Sequence, residues 1–434
     1  MSDAILRRES DGPQEPAPLA KSYGLVLVIE AVTDLQERSE SSHAEMIEQL
    51  CALVEVGAPA EEVLGRRFDL GLAWPQFPVG LGGLGLPGDR ADRVVADLAR
   101  SGLPTPPASF VGPHLVAPML VAHGTPGQHS LLRGTFTGEH RWCQLFSEPA
   151  AGSDLANIST SATLDGQKWS IRGQKVWNSF AAEATHGILL ARTDPDLPKH
   201  RGMSMFLVDM TSPGVDVRPL RDMTGVAHFN EVFLDDVAVD DAFRLGEVNS
   251  GWRLAIEVLA HERMAVGRVA ADEAAGRPRP LELFLGDAIG LEGATRDRYL
   301  RTWIRGKVIS YTESRMVAGL MQGRIDVDPI ALRVLATEHN FEVLDLAMDV
   351  GGLASVLYDA DGQQAADPAA VSLQRDYLYA RGLMIGGGTL EVCRNQIGER
   401  VLGLPPEPRI DKDGSWRQTA GLTVGTRHGS RNER

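Results

Sequence analysis

The apolar positions of this chain form three successive regions with different periodicities. In the first region apolar residues recur every three or four positions, as at Met46, Leu50 and Leu53, and this spacing predicts amphipathic helices. From Arg141 the pattern changes to short alternating runs separated by turn sequences, which predicts β-strands. Helical spacing returns at Gly251 and continues almost to the end of the chain. An order of helices, strands and helices indicates an α+β fold.

Five segments follow from this pattern. A Gly- and Pro-rich stretch at 74–88 interrupts the first helical region and is typical of a loop. In the last region the spacing predicts long helices at about 294–322, 329–350 and 368–385. The predicted segments are a disordered N-terminus (1–20), an N-terminal helical domain (21–140), a middle β domain (141–246), a C-terminal helical domain (247–405) and a polar tail (406–434) that is solvated or used for contacts.

The composition is that of a globular protein with an acidic balance of charge. Hydrophobic residues make up 43% of the 434 positions and charged residues 23%, and this length suggests about three domains. The formal net charge is −15, which argues against nucleic acid as a partner. Such a chain would also not attract a polyanionic ligand by its overall field, so that kind of ligand would need a local cluster of arginines.

Cysteine usage and the N-terminus bear on the compartment. Cys51, Cys143 and Cys393 are far apart and form neither a metal-binding nor a redox spacing, which fits a reducing environment. The N-terminus is acidic and Pro-rich where a signal peptide would be basic and then apolar. The longest early apolar run, Tyr23–Ile29, is far shorter than the ~20 residues of a membrane span. We therefore expect a cytoplasmic protein without a membrane segment.

The stretch from Cys143 to Asp154 combines an apolar run with a loop of small residues. The run predicts a buried strand that ends before Pro149, because proline cannot continue a hydrogen-bonded ladder. The following Ala-Ala-Gly-Ser-Asp would let backbone N–H groups and hydroxyls approach a flat polar ligand closely. On these residues alone, a strand-ending turn capped by serine and aspartate is the simpler interpretation.

This stretch also resembles the flavin-binding signature of the acyl-CoA dehydrogenase family. Six further segments match motifs of that family in the same order, and the matches span roughly residues 143–405. The resemblance implies an N-terminal helical domain, a middle β-barrel or sandwich domain and a C-terminal four-helix bundle, with FAD as cofactor. The matching segments are GQKVW at 173–177, RGMSMFLVDM at 201–210, FNEVFLDDVAV at 229–239, GEVNSGW at 246–252, HER at 261–263 and IGGGTLEVCRNQIGERVLGLP at 385–405.

The resemblance implies that the β domain forms one wall of a flavin site. Trp177 would lie against the isoalloxazine ring, and the hydroxyl of Ser179, where the family usually has threonine, would lie near flavin N5. Without the resemblance, a core tryptophan with a satisfied N–H is the alternative. The other cofactor-binding residues implied in this domain are Phe146, Ser147, Gly152 and Ser153, of which Ser153 would also contact the substrate.

Three glycines before the last predicted helix imply a second part of the flavin site. Gly386, Gly387 and Gly388 allow close backbone approach, and Thr389 is a natural N-cap. Free N–H groups at a helix start favour an anion, and the FAD pyrophosphate would suit them. Without the resemblance, a turn between two helices explains the same residues. The resemblance implies cofactor-binding roles for Thr389 and for Glu391, where the family often has Gln or Glu.

The position of the catalytic base departs from the commonest family pattern. Most members carry a catalytic glutamate just before the last glycine of this motif, where the chain has Gly387. A minority, the isovaleryl- and long-chain-type enzymes, places the base on another helix, at the position of Glu262. The residues around Glu262 are apolar, and burial raises the pKa of a carboxyl group toward the range of a general base. A solvated glutamate paired with Arg263 or with a residue one turn away is the alternative.

The resemblance implies α,β-dehydrogenation of an acyl thioester to its 2-enoyl product. Glu262 would take the α-proton, while the N–H of Gly387 and a flavin ribityl hydroxyl would stabilise charge on the carbonyl oxygen. The β-hydride would pass to flavin N5 on the face away from Trp177, and an electron-transfer flavoprotein or another acceptor would reoxidise the flavin. Either coenzyme A or a carrier protein would carry the acyl group. Arg263 matches a mostly structural family arginine near the substrate pocket.

Two departures concern the adenine half of the flavin. Many members have Arg-x-x-Phe-Gly after the base helix and a glutamine three residues before Gly-Gly, and both reach the flavin of a neighbouring subunit. Residues 270–300 lack the first, and Met348 replaces the glutamine before Gly351. A homodimer, a homotetramer and a heterotetramer that shares flavin sites between unlike chains all stay open. The alternative functions are a flavin oxygenase or oxidase on the same fold, and a partner subunit with an incomplete site.

Overall fold

A computed structural model describes residues 43–107, 110–262, 290–321, 324, 327–356, 368–406 and 414–420. The chain forms two compact units, one that ends at Thr105 and one that begins at Pro106. The predicted disordered segment at 1–20, the apolar run Tyr23–Ile29 and the predicted structural role of Arg263 lie outside the described residues.

The first unit is helical, as the spacing of its apolar residues predicts. Helix α1 covers residues 43–55, α2 covers Ala60–Asp69 and α3 covers Gly88–Arg100. The Gly- and Pro-rich stretch predicted as a loop joins α2 to α3. The apolar faces of the three helices meet in one core, and its buried members are Leu50, Val63, Leu72, Val94, Leu98 and Leu103.

The second unit begins with a short helical run in front of the sheet. Thr125 starts a one-turn helix with a capping box, because its hydroxyl accepts from the N–H of Gln128 while the Gln128 side chain accepts from the N–H of Thr125. The buried Gln128 amide also donates to the carbonyls of Ala242 and Arg244, at 2.8 and 3.0 Å, and so ties this run to the end of the sheet. The elements are a π-helical turn (Gly112–Val116), α4 (Ala117–His123), α5 (Pro126–His129) and α6 (Leu131–Thr137).

The middle of the second unit is one mixed sheet of eight strands. The strands are β1 (Trp142–Leu145), β2 (Ser161–Asp165), β3 (Lys168–Ser179), β4 (His186–Arg192), β5 (Met203–Asp209), β6 (Val215–Leu220), β7 (Phe229–Asp240) and β8 (Arg244–Leu245). Their order is β6-β7-β3-β2-β4-β5-β8, and β1 pairs in parallel with β4 outside this path. The strand predicted before Pro149 is therefore present as β1.

The core of the sheet is made by apolar residues from nearly every strand. Strands β4 and β5 are buried along almost their whole length, and they pair from His186 opposite Asp209 to Arg192 opposite Met203. Each aliphatic or aromatic side chain that is fully buried contributes about 1.5–3 kcal/mol, so this core is the main source of stability in the unit. Its members include Leu145, Ile171, Leu189, Phe206, Val208, Val232 and Val237.

A bulge in the pairing of β3 with β7 sets the direction of Trp177. Lys175 pairs with Val232 and Asn178 pairs with Asn230, so β3 has one extra residue between these pairs. Trp177 lies in this bulge with φ +63°, a left-handed conformation that is strained for any residue except glycine. It is 56% exposed. The interpretation of Trp177 as a core residue is therefore wrong.

The helices after the sheet match the predicted ones at 294–322, 329–350 and 368–385 to within two residues at each end. Among the described residues, no helix combines the length and the apolar character needed to cross a membrane. The helices are α7 (251–262), α8 (Gly293–Met321), α9 (Pro329–Gly351), α10 (Pro368–Leu383) and α11 (Leu390–Gln396), which continues into a π-helical turn (Ile397–Val401).

Helix α9 is joined to two neighbouring helices by ion pairs. Arg305 of α8 donates to Glu338 and Glu342 of α9, at 2.7 and 2.5 Å. Arg394 of α11 donates to the same Glu338. A single partly exposed pair contributes only about 0–1 kcal/mol, but a shared carboxylate also fixes the relative positions of all three helices. Helix α9 is therefore a firm base for the loop that precedes α11.

Part of the predicted polar tail docks on the β domain. A one-turn helix, α12 (Trp416–Thr419), is capped by Ser415, whose hydroxyl accepts from the N–H of Gln418. The guanidinium of Arg192 lies 4.6 Å from the centroid of the Trp416 ring, and the indole N–H donates to Asn157 at 3.0 Å. Residues 414–420 therefore make contacts with the segment that follows the small-residue loop.

Candidate active site

The loop after β1 is anchored by a buried ion pair. The side chain of Glu148 is 4% exposed and that of Lys175 is fully buried, with Nζ 2.8 Å from a carboxylate oxygen. Lys175 also donates to the carbonyl of Phe146 at 3.0 Å. The carboxylate accepts in addition from the backbone N–H groups of Ser159 and Thr160, at 2.7 and 2.9 Å. One carboxylate therefore joins the start of the loop, its end and strand β3.

The burial and the partners of this pair indicate that it is a structural anchor. Burial by itself raises the pKa of the Glu148 carboxyl, but the charge of Lys175 and the hydrogen bonds to Lys175, Thr160 and Ser159 hold that pKa at about 2. Burial lowers the pKa of Lys175, and Glu148 opposes that change. A carboxyl with so low a pKa exchanges no proton near neutral pH, so Glu148 is not suited to general-base chemistry.

Three of the predicted flavin contacts lie near the C-terminal end of strand β3. The N–H of Val176 donates to the carbonyl of Ser147 at 2.9 Å, which places Ser147 beside the end of β3. Trp177 is exposed there, and Ser179 and Ser147 are half-buried. The structure therefore brings an indole ring and two hydroxyl groups to the same surface.

Further exposed rings lie beside the end of β3. Phe180 is 53% exposed and has a left-handed backbone with φ +56°. Phe229 packs edge-on against Trp177, with the ring centroids 5.7 Å apart. Exposed aromatic residues in strained backbone conformations are typical of a functional surface, because strain persists only where the surrounding structure imposes it. A flat apolar partner would cover these rings.

Gly152 and Ser153 lie on the outer side of the small-residue loop, and both are exposed. The next residue, Asp154, accepts from Lys199 at 2.9 Å through each carboxylate oxygen. The buried guanidinium of Arg192 donates to two backbone carbonyls at the end of the loop, at 2.7 and 3.1 Å. Burial lowers the pKa of Arg192 to about 10, so this side chain stays charged at neutral pH. The loop is held from the protein side and leaves Gly152 and Ser153 open to a ligand.

Phe146 does not share this surface. It is 3% exposed, and its carbonyl oxygen accepts the hydrogen bond from Lys175. Its ring therefore packs beneath the loop, where it can support a cofactor site by packing only.

A cluster around His228 connects the β domain with helix α10. The His228 ring lies 4.0 Å from the Phe229 ring and 5.6 Å from the ring of Tyr379 on α10. Its Nδ1 is 3.7 Å from a carboxylate oxygen of Asp222. Burial and the charge of Asp222 raise the pKa of the Tyr379 phenol. Because Phe229 also contacts Trp177, this cluster links the exposed rings to the helix that leads into the glycine loop.

The glycine loop between α10 and α11 has the backbone that its sequence predicts. Gly387 and Gly388 have φ +67° and +102°, conformations that favour glycine. The hydroxyl of Thr389 accepts from the N–H of the third helical residue at 3.2 Å, so the predicted N-cap is present. Arg333 of α9 donates from Nη2 to the carbonyl of Gly386 and, at 3.2 Å, to that of Gly388.

Glu262 of α7 reaches the same loop. It is half-buried, and a Cβ atom built on Gly387 would lie 3.3 Å from its Oε1. The carboxylate therefore borders the space that a side chain at position 387 would enter. The Nη2 atom of Arg333 borders that space as well, 3.4 Å from the same Cβ position. The structure thus brings together the two positions that the sequence relates as alternative sites of the base.

Glu391 points away from the protein on α11. Its side chain is 79% exposed, and Arg394 lies 3.8 Å from it. Such an exposed pair contributes little to stability. The cofactor-binding role of Glu391 stays a prediction, and the carboxylate would meet a ligand only at the surface.

Several residues that hold the site in place are not predicted from the sequence. Lys175 belongs to one of the motifs, but its burial is evident only from its contact with Glu148. His228 lies one position before the motif at 229–239, and Arg333 occupies an ordinary helical position outside every motif. The place of Lys175 within the motif GQKVW at 173–177 is a signal that could have pointed to an anchor.

Comparison with known proteins identifies the family. The family model "Acyl-CoA dehydrogenase, middle domain" matches residues 143–237, and "Acyl-CoA dehydrogenase, C-terminal domain" matches residues 249–402. The acyl-CoA dehydrogenase IpdE1 of Mycobacterium tuberculosis is 35% identical over 377 residues, which cover 83% of this chain and 94% of that protein. The chain belongs to the acyl-CoA dehydrogenase family. The predicted family fold is confirmed, and members of this family are flavoprotein oxidoreductases that act on CH–CH groups.

Other relatives differ in length or come from complexes. The acyl-CoA dehydrogenase FadE34 of Mycobacterium tuberculosis is 38% identical over 361 residues, which cover 82% of this chain and 48% of that protein. The chain therefore spans about half the length of that relative. Among solved structures, the ChsE4-ChsE5 complex from Mycobacterium tuberculosis has a TM-score of 0.62 and 27% identity over 85% of this chain and 98% of that chain. A variant of the Tcur3481-Tcur3483 steroid ACAD has a TM-score of 0.63 and 25% identity over 85% and 100%.

The family implies a flavin, and the surface at the end of β3 fits one. A flavin ring is flat, apolar on its faces and polar along its edge. Trp177 and Phe180 offer exposed rings, and Ser147 and Ser179 offer hydroxyl groups beside them. Among the described residues, the buried side-chain oxygen of Asn178 has no hydrogen-bond partner. The exposed rings suit the faces of a flavin ring, and the neighbouring hydroxyl groups suit its polar edge.

Proposed function

We propose that this chain is an FAD-dependent dehydrogenase of acyl thioesters in which Glu262 is the catalytic base. One observation carries the proposal. The Oε1 atom of Glu262 lies 3.3 Å from the Cβ position of Gly387, and Gly387 stands where most of the family has its glutamate. A carboxylate from α7 therefore reaches the place from which a residue of the loop would otherwise act.

The reaction asks two things of these residues. The α-carbon of a thioester is a weak acid, so a base must take its proton while the carbonyl oxygen is stabilised as charge develops on it. Glu262 takes this proton onto its carboxylate. The backbone N–H of Gly387 donates a hydrogen bond to the carbonyl oxygen. The electrons of the broken C–H bond form the new α,β double bond as a hydride leaves the β-carbon.

The cofactor completes this scheme. Bound FAD supplies the acceptor for the β-hydride, and electron-transfer flavoprotein or another acceptor later removes the electrons. The residues that would hold the ring are Ser147, Trp177 and Ser179, with Gly152 and Ser153 on the loop. Thr389 and Glu391 would contact the pyrophosphate end. The protein supplies position and excludes water, which is the usual division of work in a flavoenzyme.

The substitution Glu262→Gln tests the base. Glutamine keeps the size and the polarity of the side chain but cannot accept the proton. We expect the purified variant to keep its yellow colour and to lose anaerobic bleaching by substrate, with a rate lower by about 10²–10⁴-fold. Glu257→Gln is the matched control, because Glu257 lies on the same helix but pairs with His123 at 2.8 Å. Undiminished bleaching by Glu262→Gln would show that another group is the base.

Anaerobic bleaching of the flavin by added substrate also discriminates between substrates and between reactions. It uses short, branched and long acyl-CoAs and one thioester of a fused-ring acid, since one solved neighbour is named as a steroid enzyme. A dehydrogenase bleaches anaerobically and consumes little oxygen in air. Rapid oxygen consumption during turnover would instead favour a flavin oxygenase or oxidase on this fold.

An exposed apolar stripe on α8 supports assembly with a related chain. Five large apolar residues that are 41–71% exposed lie along one face of this helix, and a monomer rarely exposes such a surface. The similarity to solved two-chain complexes is consistent with a heteromer. We expect light scattering to give more than one chain per particle, and a colourless protein that binds flavin only with a second chain would favour the partner-subunit function. The residues are Leu300, Trp303, Ile304, Val308 and Tyr311.

A further inference from the structure

We propose that Arg333 is a positioning residue for this reaction, which turns the N–H of Gly387 toward the thioester carbonyl and strengthens it as a donor. The inference rests on the proposed dehydrogenase function and adds a residue that lies outside every motif of the sequence. It follows from the two hydrogen bonds that one guanidinium nitrogen makes to the glycine loop.

The geometry of the peptide carries the first step. Nη2 of Arg333 donates to the carbonyls of Gly386 and Gly388. In a trans peptide the C=O and the N–H point in opposite directions, and the described residues contain no cis peptide. Arg333 on the carbonyl side of the Gly386–Gly387 peptide therefore directs the N–H of Gly387 away from α9. Within the described part of the chain this N–H has no backbone acceptor, whereas the N–H groups of Ile385 and Gly386 both bond to Gly382.

The charge of Arg333 carries the second step. A hydrogen bond from a guanidinium is stronger than one from a neutral donor. A peptide whose oxygen accepts such a bond is polarised, and its own N–H becomes a better donor. The cation is close to the loop, because its Nη2 lies 3.4 Å from the Cβ position of Gly387. Arg333 therefore improves the donor that must meet the developing negative charge.

The surroundings of Arg333 make its position firm. The neighbouring Val334 is buried in a cluster with Leu390 and Cys393 of α11. Glu338, one turn further along α9, pairs with Arg394 of α11. Packing and charge thus hold α11 against the helix that carries Arg333. A residue fixed in this way can hold a loop within the small tolerance that catalysis requires.

The experiment compares Arg333→Met and Arg333→Lys with Arg305→Met. Arg305 of α8 is the matched control. It also bonds to a neighbouring helix, but it donates to Glu338 and Glu342 of α9 and not to the glycine loop. Three quantities are measured on the holoenzyme. They are the limiting rate and half-saturating concentration of anaerobic flavin reduction, the absorption shift of bound cinnamoyl-CoA, and the hydrogen exchange of the peptide that contains the glycine loop.

We expect Arg333→Met to lower the limiting rate by about 10²-fold while the half-saturating concentration changes by less than about threefold. Cinnamoyl-CoA absorbs at longer wavelength when its carbonyl is polarised, and this red shift should be lost in Arg333→Met and partly kept in Arg333→Lys. Exchange of the loop should become faster than in Arg305→Met. Should Arg333→Met fail to retain flavin, Arg333→Lys decides by its limiting rate and its spectral shift.

Two failures can be told apart. A wild-type protein that no thioester bleaches overturns the proposed function, and the role of Arg333 in the reaction with it. A wild-type protein that bleaches, together with an Arg333→Met variant that keeps the limiting rate and the red shift, overturns only the role of Arg333. A loss confined to flavin content, with normal rate and shift per bound flavin, would make Arg333 a structural residue and would also overturn the proposal.

Discussion

Moving the base from α7 to the glycine loop is a direct test of the proposed site. The Cβ position of Gly387 lies 3.3 Å from Oε1 of Glu262, so carboxylates from these two positions would share one space. We expect Glu262→Ala to lower the rate of flavin reduction by about 10²–10⁴-fold. The double substitution Glu262→Ala with Gly387→Glu should then recover at least about tenfold, because it returns a carboxylate to that space.

The single substitution Gly387→Glu should behave differently from the double one. A contact of 3.3 Å is tighter than most Cβ contacts, and it would be made to a carboxylate of the same charge. The backbone at φ +67° adds strain of about 1–2 kcal/mol for a residue other than glycine. With Glu262 intact we therefore expect a loss of about 1–3 kcal/mol in the free energy of unfolding. Removing Glu262 leaves Arg333 as the nearest neighbour, and its charge attracts the new carboxylate.

The assay is single-turnover bleaching under nitrogen, with urea unfolding of each variant in parallel. The matched control is Glu262→Ala with Gly387→Ala, which adds the same Cβ and the same strain but no carboxylate. The two sites should show a favourable coupling of about 1–3 kcal/mol, because the double variant should lose less than the sum of the losses of the two single variants. Equal rates for the Gly387→Glu and Gly387→Ala double variants would refute the idea that both positions serve one space.

Three further substitutions test the supports of the site. Glu148→Gln should lower the free energy of unfolding by about 3–5 kcal/mol, because it leaves the buried Lys175 without its charge partner. Since the folded pKa of Glu148 is about 2, below the ordinary value, the wild type should lose this stability as the pH falls from about 4 toward 2, as pH-dependent urea unfolding will show. Trp416→Ala should lower the free energy of unfolding by about 1–2 kcal/mol, because it removes a cation–π contact and a hydrogen bond. The control Arg417→Ala breaks only an exposed ion pair and should lower it by under about 0.5 kcal/mol. Trp177→Gly should weaken flavin binding by about tenfold without lowering the stability of the apoprotein, because glycine accepts φ +63°. Fluorescence titration with FAD measures the binding, and a loss of stability would contradict the exposed position of Trp177.

The sequence predicts the long elements well because their periodicities extend over many residues. Helices α8, α9 and α10 start and end within two residues of their predicted positions. Strand β1 is present where the apolar run predicts it and ends at Leu145, before Pro149. Thr389 caps α11 because a hydroxyl one position before a helix can accept an N–H of its first turn. These features depend on local chemistry, which the order of residues contains.

The sequence does not predict features that depend on residues far apart in the chain. Trp177 is exposed because a bulge places one extra residue in β3, and only the register with β7 reveals it. Lys175 is buried beside Glu148 although 27 positions separate them. Arg333 and Gly386 are 53 positions apart. Likewise Trp416 meets Asn157 across 259 positions. Long-range contacts of this kind leave no periodic pattern.

Three cations hold the backbone around the site by the same means. Lys175 donates to the carbonyl of Phe146, Arg192 to two carbonyls after the small-residue loop, and Arg333 to two carbonyls of the glycine loop. A carbonyl that is satisfied from the protein side leaves the N–H of the same peptide facing the opposite way. The proposed ligands of this site, a flavin and a thioester, would present oxygen atoms that accept such N–H groups. In the proposed site, Arg333 turns the N–H of Gly387 outward in this way. The peptides that Arg192 anchors are instead bonded within the protein, because their N–H groups donate to Asp154 and Glu148. Cations thus organise the backbone around the site although the net charge of the chain is −15.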